Sequence, residues 1–202
     1  MNLNEAAHVF GNIFVGDFLC TQYRHVLREK RIQTIINVSN AESSFITDDL
    51  KAEFNYFWLK TRDRGDVNLK ALFQACLTIY EAHNSIYEAH SSIYEAHNLT
   101  RGSETNILLF CEEGASRSIS CVCFLLMKSF GVNLKNALKL CVAARGAVVC
   151  PNDSFLRQLH CVEFDLFRKN SIEISESASK FRALYSTAAS QAILKQIVTP
   201  KL

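Results

Sequence analysis

N-I-L-L-F-C-E-E-G-A-S-R-S, residues 106–118, is the stretch that decides the fold of this chain. Its first part, residues 107–110, is a short apolar run of the kind that forms a buried parallel strand. Cys111 ends this run, and a second apolar run at residues 119–127 predicts a helix. The predicted order is therefore strand, tight loop and helix, with a thiol where the loop begins and Arg117 where it ends.

A loop that leads into a helix N-terminus is suited to binding an anion. Backbone N–H groups converge there, and the helix dipole favours negative charge. Arg117 adds a planar guanidinium that can bind two phosphate oxygens, and the same field favours a thiolate at Cys111. A buried structural cysteine beside a surface arginine is the alternative, but Gly114 and Ser118 at their spacings argue against it. The residues predict a nucleophile beneath a bound phosphoryl group.

The segment C-E-E-G-A-S-R-S, residues 111–118, resembles the signature loop of cysteine-based protein phosphatases, most closely that of small dual-specificity phosphatases. The resemblance implies an α/β fold with a central mixed, mainly parallel sheet flanked by helices. It makes Cys111 the nucleophile and has Ser118 hydrogen-bond the sulfur. It also implies that the phosphate is held by the loop, with Glu112, Glu113, Gly114, Ala115, Ser116 and Arg117.

Three side chains of this stretch carry further expectations. The family usually has histidine directly before the nucleophile, where it helps to order the loop, whereas this chain has Phe110. The substitution puts the reaction rate in question. Glu113 resembles the loop carboxylate that orients the arginine in the family. Glu112 and Glu113 together disfavour highly anionic phosphoinositide headgroups as substrates.

Composition limits the other function classes. A chain of 202 residues with 49% hydrophobic residues is expected to form one globular domain. A net charge of +2 gives no case for a nucleic-acid or membrane partner, and the first residues do not resemble a secretory signal. The eight cysteines show no C-x-x-C pair and no zinc-like spacing, which predicts a reducing, cytoplasmic setting, with a nuclear one also open. We expect no metal and no cofactor.

Apolar periodicity predicts alternating strands and helices, which argues for a parallel or mixed sheet. The predicted elements are a strand with a turn in 8–19, a helix at 21–30, strands at 32–39 and 54–59, and helices at 69–99, 133–145 and from 151 or 152 to 169. We divide the chain into a catalytic domain at 1–170, with a repeat insertion near 79–99, and a tail at 171–202 that could hold a helix near 180–198.

The loop K-T-R-D-R-G-D-V-N-L, residues 60–69, follows a predicted strand and supplies two carboxylates. Ends of strands in α/β sheets are where ligand-binding loops lie. In the family, the general acid lies six residues before a leucine that enters the next helix. Counting back from Leu69 gives Asp63, and Asp66 remains the alternative. Without the signature loop, both would be best explained as solvated loop residues.

Three near-copies of one heptad, I-Y-E-A-H-N-S, I-Y-E-A-H-S-S and I-Y-E-A-H-N-L, occupy residues 79–99. Isoleucine and alanine recur as a narrow stripe with helical period at Ile79, Ala82, Ile86, Ala89, Ile93 and Ala96. Two extra heptads lengthen a helix by about 21 Å. The stripe could mediate self-association, or the insertion could be disordered. The recurring His83, His90 and His97 lie too far apart along one helix for one metal ion, so we expect copied surface residues.

The segment P-N-D-S-F-L-R-Q-L, residues 151–159, resembles the P-N-x-G-F-x-x-Q-L motif of the same family, with Ser154 in place of glycine. In the family the asparagine braces the signature loop, so Asn152 is a supporting residue by resemblance. A plain helix N-cap is the alternative for Asn152, and both can hold.

The resemblance covers about residues 8–168 and implies a metal-independent dual-specificity phosphatase. Such an enzyme hydrolyses phosphotyrosine and phosphoserine or phosphothreonine through a cysteinyl-phosphate intermediate. Its partner would be a phosphorylated protein, with kinases among the candidates. The alternative is a weak or inactive module that binds phosphoprotein because Phe110 impairs the loop. An RNA 5′-phosphatase is a third reading, which the near-neutral charge disfavours.

Overall fold

The computed structural model of the chain describes residues 6–96 and 105–173. Within these ranges, one five-stranded sheet is flanked by six α-helices. The strands are β1 Ala7–Phe10, β2 Ile13–Asp17, β3 Ile32–Asn37, β4 Asn55–Trp58 and β5 Asn106–Cys111. The α-helices are α1 Arg24–Glu29, α2 Asp48–Glu53, α3 Lys70–Ala96, α4 Arg117–Phe130, α5 Leu134–Arg145 and α6 Asp153–Phe167.

The strand order in the sheet is β1-β2-β5-β3-β4. β1 pairs with β2 in antiparallel orientation, and the other pairs are parallel, which confirms the predicted mixed, mainly parallel sheet. β5 lies in the centre, where Cys111 stands opposite Asp17 of β2. Cys111 is therefore at the carboxyl end of the central strand, the edge at which α/β sheets bind ligands.

Side chains of β5 alternate between two hydrophobic cores, as the period of a strand requires. Ile107, Leu109 and Cys111 belong to the larger core, which β5 shares with α3, α4, α5 and α6. Leu108 and Phe110 belong to the smaller core on the opposite face, together with residues of α1 and α2. The nucleophile candidate and the unusual phenylalanine before it thus point to opposite faces of the sheet.

Two short helices near the N-terminal half differ from the prediction. The helix expected at 21–30 is divided into a 3-10 helix at Phe18–Gln22 and α1. α2 was not predicted, because six residues are too short to show helical periodicity. Its sequence signal is Thr47, whose hydroxyl accepts a hydrogen bond from the Leu50 N–H at 3.3 Å and caps the helix.

The repeat is helical as far as Ala96, as the predicted helix at 69–99 requires. It forms the second part of α3, which is 27 residues or about 40 Å long in total. Residues 97–104 lie outside the described residues. The first copy is part of the domain: Tyr80 is 5% exposed and donates a hydrogen bond to Asn12 Oδ1 at 3.2 Å. In the second copy, Ile86 is 51% exposed.

His83 of the first copy is buried, so the expectation of a surface histidine is wrong at this position. Its Nδ1 lies 2.9 Å from Thr34 Oγ1 of β3, and its Nε2 lies 3.2 Å from the carbonyl oxygen of Thr105. Ala82, in the isoleucine and alanine stripe that was considered for self-association, is exposed. α3 packs instead through Leu72, Phe73, Cys76, Leu77, Tyr80 and His83.

The end of the described chain returns to α6. Buried Glu163 accepts hydrogen bonds from the backbone N–H groups of Leu134 and Ser171. The tail from residue 174 onward, including the helix predicted near 180–198, lies outside the described residues. Among the helices that the structure describes, none has the length and hydrophobicity needed to cross a membrane.

Candidate active site

The loop between β5 and α4 has its thiol next to a hydroxyl group. Cys111 is 1% exposed, and its Sγ lies 3.2 Å from Ser118 Oγ in the first turn of α4. Ser116, at the N-cap position, makes no side-chain capping hydrogen bond. The N–H groups at the start of α4 are therefore not satisfied by that side chain, as an anion-binding helix N-terminus requires.

Arg117 is held by three groups from different parts of the chain. Its Nη1 donates a hydrogen bond to the carbonyl oxygen of Thr61 at 3.0 Å, and its Nε lies 3.6 Å from Asp63 Oδ2. Its Nη2 forms an ion pair with Glu112. The carboxylate that orients the arginine is therefore Glu112, and the expectation for Glu113 is wrong. The loop is not periodic, so neighbouring side chains cannot be assigned to its two sides from sequence.

The sheet side of the loop is held by a second buried arginine, Arg145 at the end of α5. Its Nη2 lies 3.2 Å from Asp17 Oδ2 and 3.2 Å from the carbonyl oxygen of Glu113. Gly114 has a φ of +65°, and a Cβ there would lie 2.6 Å from both the Gly16 carbonyl oxygen and Arg145 Nη2. Neither Asp17 nor Arg145 was predicted, because partners 128 positions apart leave no spacing signal.

Asp63, and not Asp66, lies at the site. Its Oδ1 accepts hydrogen bonds from Ser116 Oγ at 2.9 Å and from Asn152 Nδ2 at 2.6 Å. Asp66 is 73% exposed at its side chain and lies 3.6 Å from Arg64 Nε. Asn152 also caps α6, because its Oδ1 accepts a hydrogen bond from the Phe155 N–H at 2.9 Å. Asn152 is therefore the N-cap of α6, and its side-chain amide nitrogen contacts Asp63 instead of the signature loop.

These residues line a cleft of about 610 Å³ above the loop. Its lining combines polar groups of the loop and the acid with small apolar residues. The cleft is lined by Asp63, Cys111, Glu113, Ala115, Ser116, Ala147, Val148, Cys150 and Asn152. An anion bound by the loop would therefore have the Asp63 carboxyl beside it and an apolar wall for the group that carries it.

Phe110 does not enter this cleft. It is 1% exposed and packs in the smaller core. Its carbonyl oxygen still accepts a hydrogen bond from the Val38 N–H at 2.9 Å, so β5 keeps its place beside β3. The phenylalanine fills apolar space on the face of the sheet opposite Cys111.

Other cysteines of the domain differ from Cys111 in their surroundings. Burial raises the pKa of the Cys20, Cys121 and Cys123 thiols, which keeps them protonated at neutral pH. None of these three lines the cleft. In the part of the chain that the structure describes, no group of three or more His, Cys, Asp or Glu side chains is placed to hold a metal ion.

Comparison with known proteins agrees with this geometry. The family model "Dual specificity phosphatase, catalytic domain" matches residues 13–164. The chain belongs to the dual-specificity phosphatase family. Membership makes it a protein phosphatase domain and implies phosphoprotein substrates.

Its relatives are distant in sequence. Dual specificity protein phosphatase 1 of Arabidopsis thaliana is 24% identical over 169 residues, which cover 84% of this chain and 71% of that protein. Protein phosphatase Slingshot homolog 3 of Mus musculus is 26% identical over 156 residues, 77% of this chain but 21% of that protein. The crystal structure of DUSP15 superimposes with a TM-score of 0.63 at 18% identity, covering 91% of this chain and 99% of that one. This superposition shows that the fold is shared.

Proposed function

We propose that the chain is an active dual-specificity phosphatase that hydrolyses phosphotyrosine and phosphoserine or phosphothreonine through a cysteinyl-phosphate intermediate. The observation that carries the proposal is that Cys111 and Asp63 line one cleft and that Arg117 lies beside Asp63. One carboxylate oxygen of Asp63 accepts hydrogen bonds from Ser116 and Asn152, and the other forms an ion pair with Arg117. The acid and the anion-binding arginine are thus in direct contact, and the nucleophile lines the same cleft as the acid.

In the first step, the Cys111 thiolate attacks phosphorus in line and forms an S–P bond. The P–O bond to the leaving group breaks at the same time, and Asp63 donates a proton to the leaving oxygen. The N–H groups of residues 112–117 and the Arg117 guanidinium hold the equatorial oxygens, where charge accumulates. Glu112 keeps the guanidinium in place from the other side.

In the second step, water attacks phosphorus and the Asp63 carboxylate accepts its proton. The S–P bond breaks, and the sulfur leaves as a thiolate. Ser118 Oγ, 3.2 Å from the sulfur, donates a hydrogen bond that stabilises this leaving group. Free phosphate is released, and each group returns to its first protonation state. The residues require no metal for either step.

The test is release of phosphate from phosphotyrosine and phosphothreonine peptides by the protein and by Cys111→Ser. We expect turnover of both peptides, unchanged by EDTA, and none in the variant. Asp66→Asn, at an exposed residue of the same loop, is the matched control and should keep full activity. Equal turnover by Cys111→Ser would contradict the proposal, and loss of turnover in EDTA would contradict metal independence.

The substrate class follows from the charges around the loop. Glu112 and Glu113 add negative charge beside the phosphate, which disfavours a headgroup with several phosphates. A phosphorylated protein is therefore the proposed partner, with kinases among the candidates. A panel of phosphopeptides and phosphoinositides at equal concentration should show turnover confined to the peptides.

Phe110 supports a second candidate function, a phosphoprotein-binding protein of weak activity. The family's usual histidine is missing, and phenylalanine cannot supply its hydrogen bonds. The packing of Phe110 away from the cleft argues for the active enzyme instead. Phe110→His decides between them. A gain of about 100-fold or more in turnover, with phosphopeptide binding already present in the parent, would favour the binding protein.

Self-association through the repeat is a separate proposal. Ile86, on the second copy, is exposed over half of its surface. Light scattering of the protein and of Ile86→Glu should show a larger species only in the parent, because a charge at an apolar interface is costly. A monomeric parent would contradict self-association.

A further inference from the structure

The turn that carries Asp63 is fastened to α6 by a side chain outside the catalytic set. Ser154, in the first turn of α6, donates a hydrogen bond from its Oγ to the carbonyl oxygen of Gly65 at 2.7 Å. Gly65 lies in a turn closed by the Val67 N–H, which bonds to the carbonyl oxygen of Arg64 at 3.2 Å. The hydroxyl therefore holds the middle of the segment that follows Asp63.

Two further contacts from α6 fix the ends of the same segment. Asn152 Nδ2 holds the Asp63 carboxylate at 2.6 Å. At the far end, Gln158 Oε1 accepts from the Leu69 N–H at 2.7 Å, and its Nε2 donates to the Val67 carbonyl oxygen at 2.8 Å. The first turns of α6 thus hold residues 63–69 at three successive points, and Ser154 provides the central one.

The central contact depends on the hydroxyl group. A Cβ built on Gly65 would lie 3.8 Å from Ser154 Cβ, an ordinary van der Waals distance, so the two residues are neighbours without tight steric packing. The glycine that the family motif has at this position carries no side chain and cannot form the bond. Serine thus gives this chain a directional contact to the acid segment.

We infer that Ser154 is a positioning residue for the general acid: it restricts the turn at Gly65 so that Asp63 stays within reach of the leaving group above Cys111. This inference rests on the proposed function, in which Asp63 protonates the leaving oxygen. Without the Ser154 bond, the segment remains held at its ends while its middle gains freedom. The acid then spends less time in the productive position.

The test compares substrates that need the acid to different degrees. Phenyl phosphate has a poor leaving group that needs the proton, whereas p-nitrophenyl phosphate has a good leaving group that needs it little. Ser154→Ala and Ser154→Gly should lower kcat/KM, which reports the steps up to departure of the leaving group, by roughly 2- to 10-fold for phenyl phosphate, the range that one hydrogen bond supports. The same substitutions should change kcat/KM little for p-nitrophenyl phosphate. Thr78→Ala, which removes a hydroxyl bonded to the Gln74 carbonyl oxygen on exposed α3, is the matched control.

Repeating the Ser154→Ala substitution in an Asp63→Asn variant separates a positioning role of Ser154 from a general loss of structure. In Asp63→Asn there is no acid to position, so adding Ser154→Ala should leave phenyl phosphate turnover unchanged. An equal loss with both substrates, or an undiminished loss in the Asp63→Asn background, would overturn the inference. No loss in either Ser154 variant would overturn it as well.

Hydrogen exchange keeps the inference testable if the proposed function fails. The peptide that contains residues 61–69 should exchange faster in Ser154→Ala than in the parent and in Thr78→Ala, because the hydroxyl no longer restrains the turn. If the parent protein shows no turnover, the proposal of an active enzyme is wrong. Hydrogen exchange then still tests whether the Ser154 hydroxyl restrains the turn at Gly65. Unchanged exchange would show that the hydroxyl does not restrain the acid segment.

Discussion

The phosphate loop at residues 111–117 and the repeat in α3 show opposite relations between local sequence and surroundings. The loop has no repeated pattern, and even the adjacent Glu112 and Glu113 have separate partners: the Glu112 carboxylate contacts Arg117, and the Glu113 carbonyl oxygen contacts Arg145. In the repeat, equivalent residues have different surroundings, since Ile79 is partly buried against the larger core whereas Ile86 of the next copy is exposed. Contacts across elements, more than local sequence, therefore decide what a residue does.

Two pairs of residues of the same type, but with different contact partners, can test whether contacts decide what a residue does. Arg117 and Arg145 are both buried arginines beside one loop, and Asp63 and Asp66 are both carboxylates of one segment. If contact partners decide the role of a residue, substitution of Arg117 or Asp63 should lower catalysis. Substitution of Arg145 should mainly lower stability, and substitution of Asp66 should have little effect.

The largest effect is expected for Arg117→Lys. Lysine keeps the charge but loses the planar fork that binds two phosphate oxygens. We expect kcat for p-nitrophenyl phosphate to fall about 10³-fold, with the melting temperature changed by only a few degrees. Steady-state kinetics and thermal unfolding measure the two quantities. Retention of a tenth of the parent kcat would show that a point charge suffices at this position.

The second largest effect is expected for Asp63→Asn. We expect about a 10²-fold loss of kcat for phenyl phosphate, because the amide cannot donate the acid proton. Its near neighbour Asp66→Asn should have under a twofold effect, since that side chain is exposed and contacts only surface charge among the described residues. Equal losses in the two variants would remove the distinction between the two carboxylates.

Arg145→Met should mainly lower stability. It leaves Asp17, 8% exposed, without its buried partner and frees the Glu113 carbonyl oxygen. We expect a loss of about 3 kcal/mol in the free energy of unfolding and a loss of kcat of about tenfold or less. Urea unfolding measures the first quantity and phosphatase kinetics the second.

The double variant Asp17→Asn, Arg145→Met is the control for this pair. Removing both charges should recover part of the lost stability, because no buried carboxylate is then left unpaired. A loss of kcat in Arg145→Met as large as that of Arg117→Lys would mean that the sheet side of the loop also contributes directly to catalysis.

The sequence predicted the parts of the site that depend on local order. Strand, loop and helix follow one another at residues 106–127, so Cys111, Arg117 and Ser118 could be placed from that stretch alone. Asp63 was chosen over Asp66 from the family's spacing between the general acid and the leucine that enters the next helix, here Leu69. Asp17 and Arg145 could not be predicted, because the sheet and α5 bring them together only in the folded chain.

The repeat shows the same limit in the fold. Its helical period was predictable, since every copy favours the same backbone conformation. The burial of each copy was not predictable, because the sequence does not show how far the rest of the domain extends along α3. The first copy meets β3 and the turn between β1 and β2, and the second extends beyond them.

His83 gives the smallest and most specific prediction. Burial lowers the pKa of His83 below its ordinary value of about 6.5, with the hydrogen bond to the Thr105 carbonyl oxygen acting in the opposite direction. The unfolded chain therefore binds a proton below about pH 6.5 that the folded chain takes up only at lower pH. Stability should be unaffected by this group above that pH and should fall as the pH decreases below it.

His83→Gln removes the titrating group, so the loss of stability between about pH 7 and pH 5 should be smaller in the variant than in the parent. Glutamine can still contact Thr34, which limits the loss of packing at neutral pH. His25→Gln, at an exposed residue of α1, is the control and should leave the pH dependence unchanged. Urea unfolding at several pH values measures both. Identical pH dependence in the parent and His83→Gln would mean that His83 is protonated in the folded state as readily as in the unfolded one, and that the first copy of the repeat is no better shielded from water than the second.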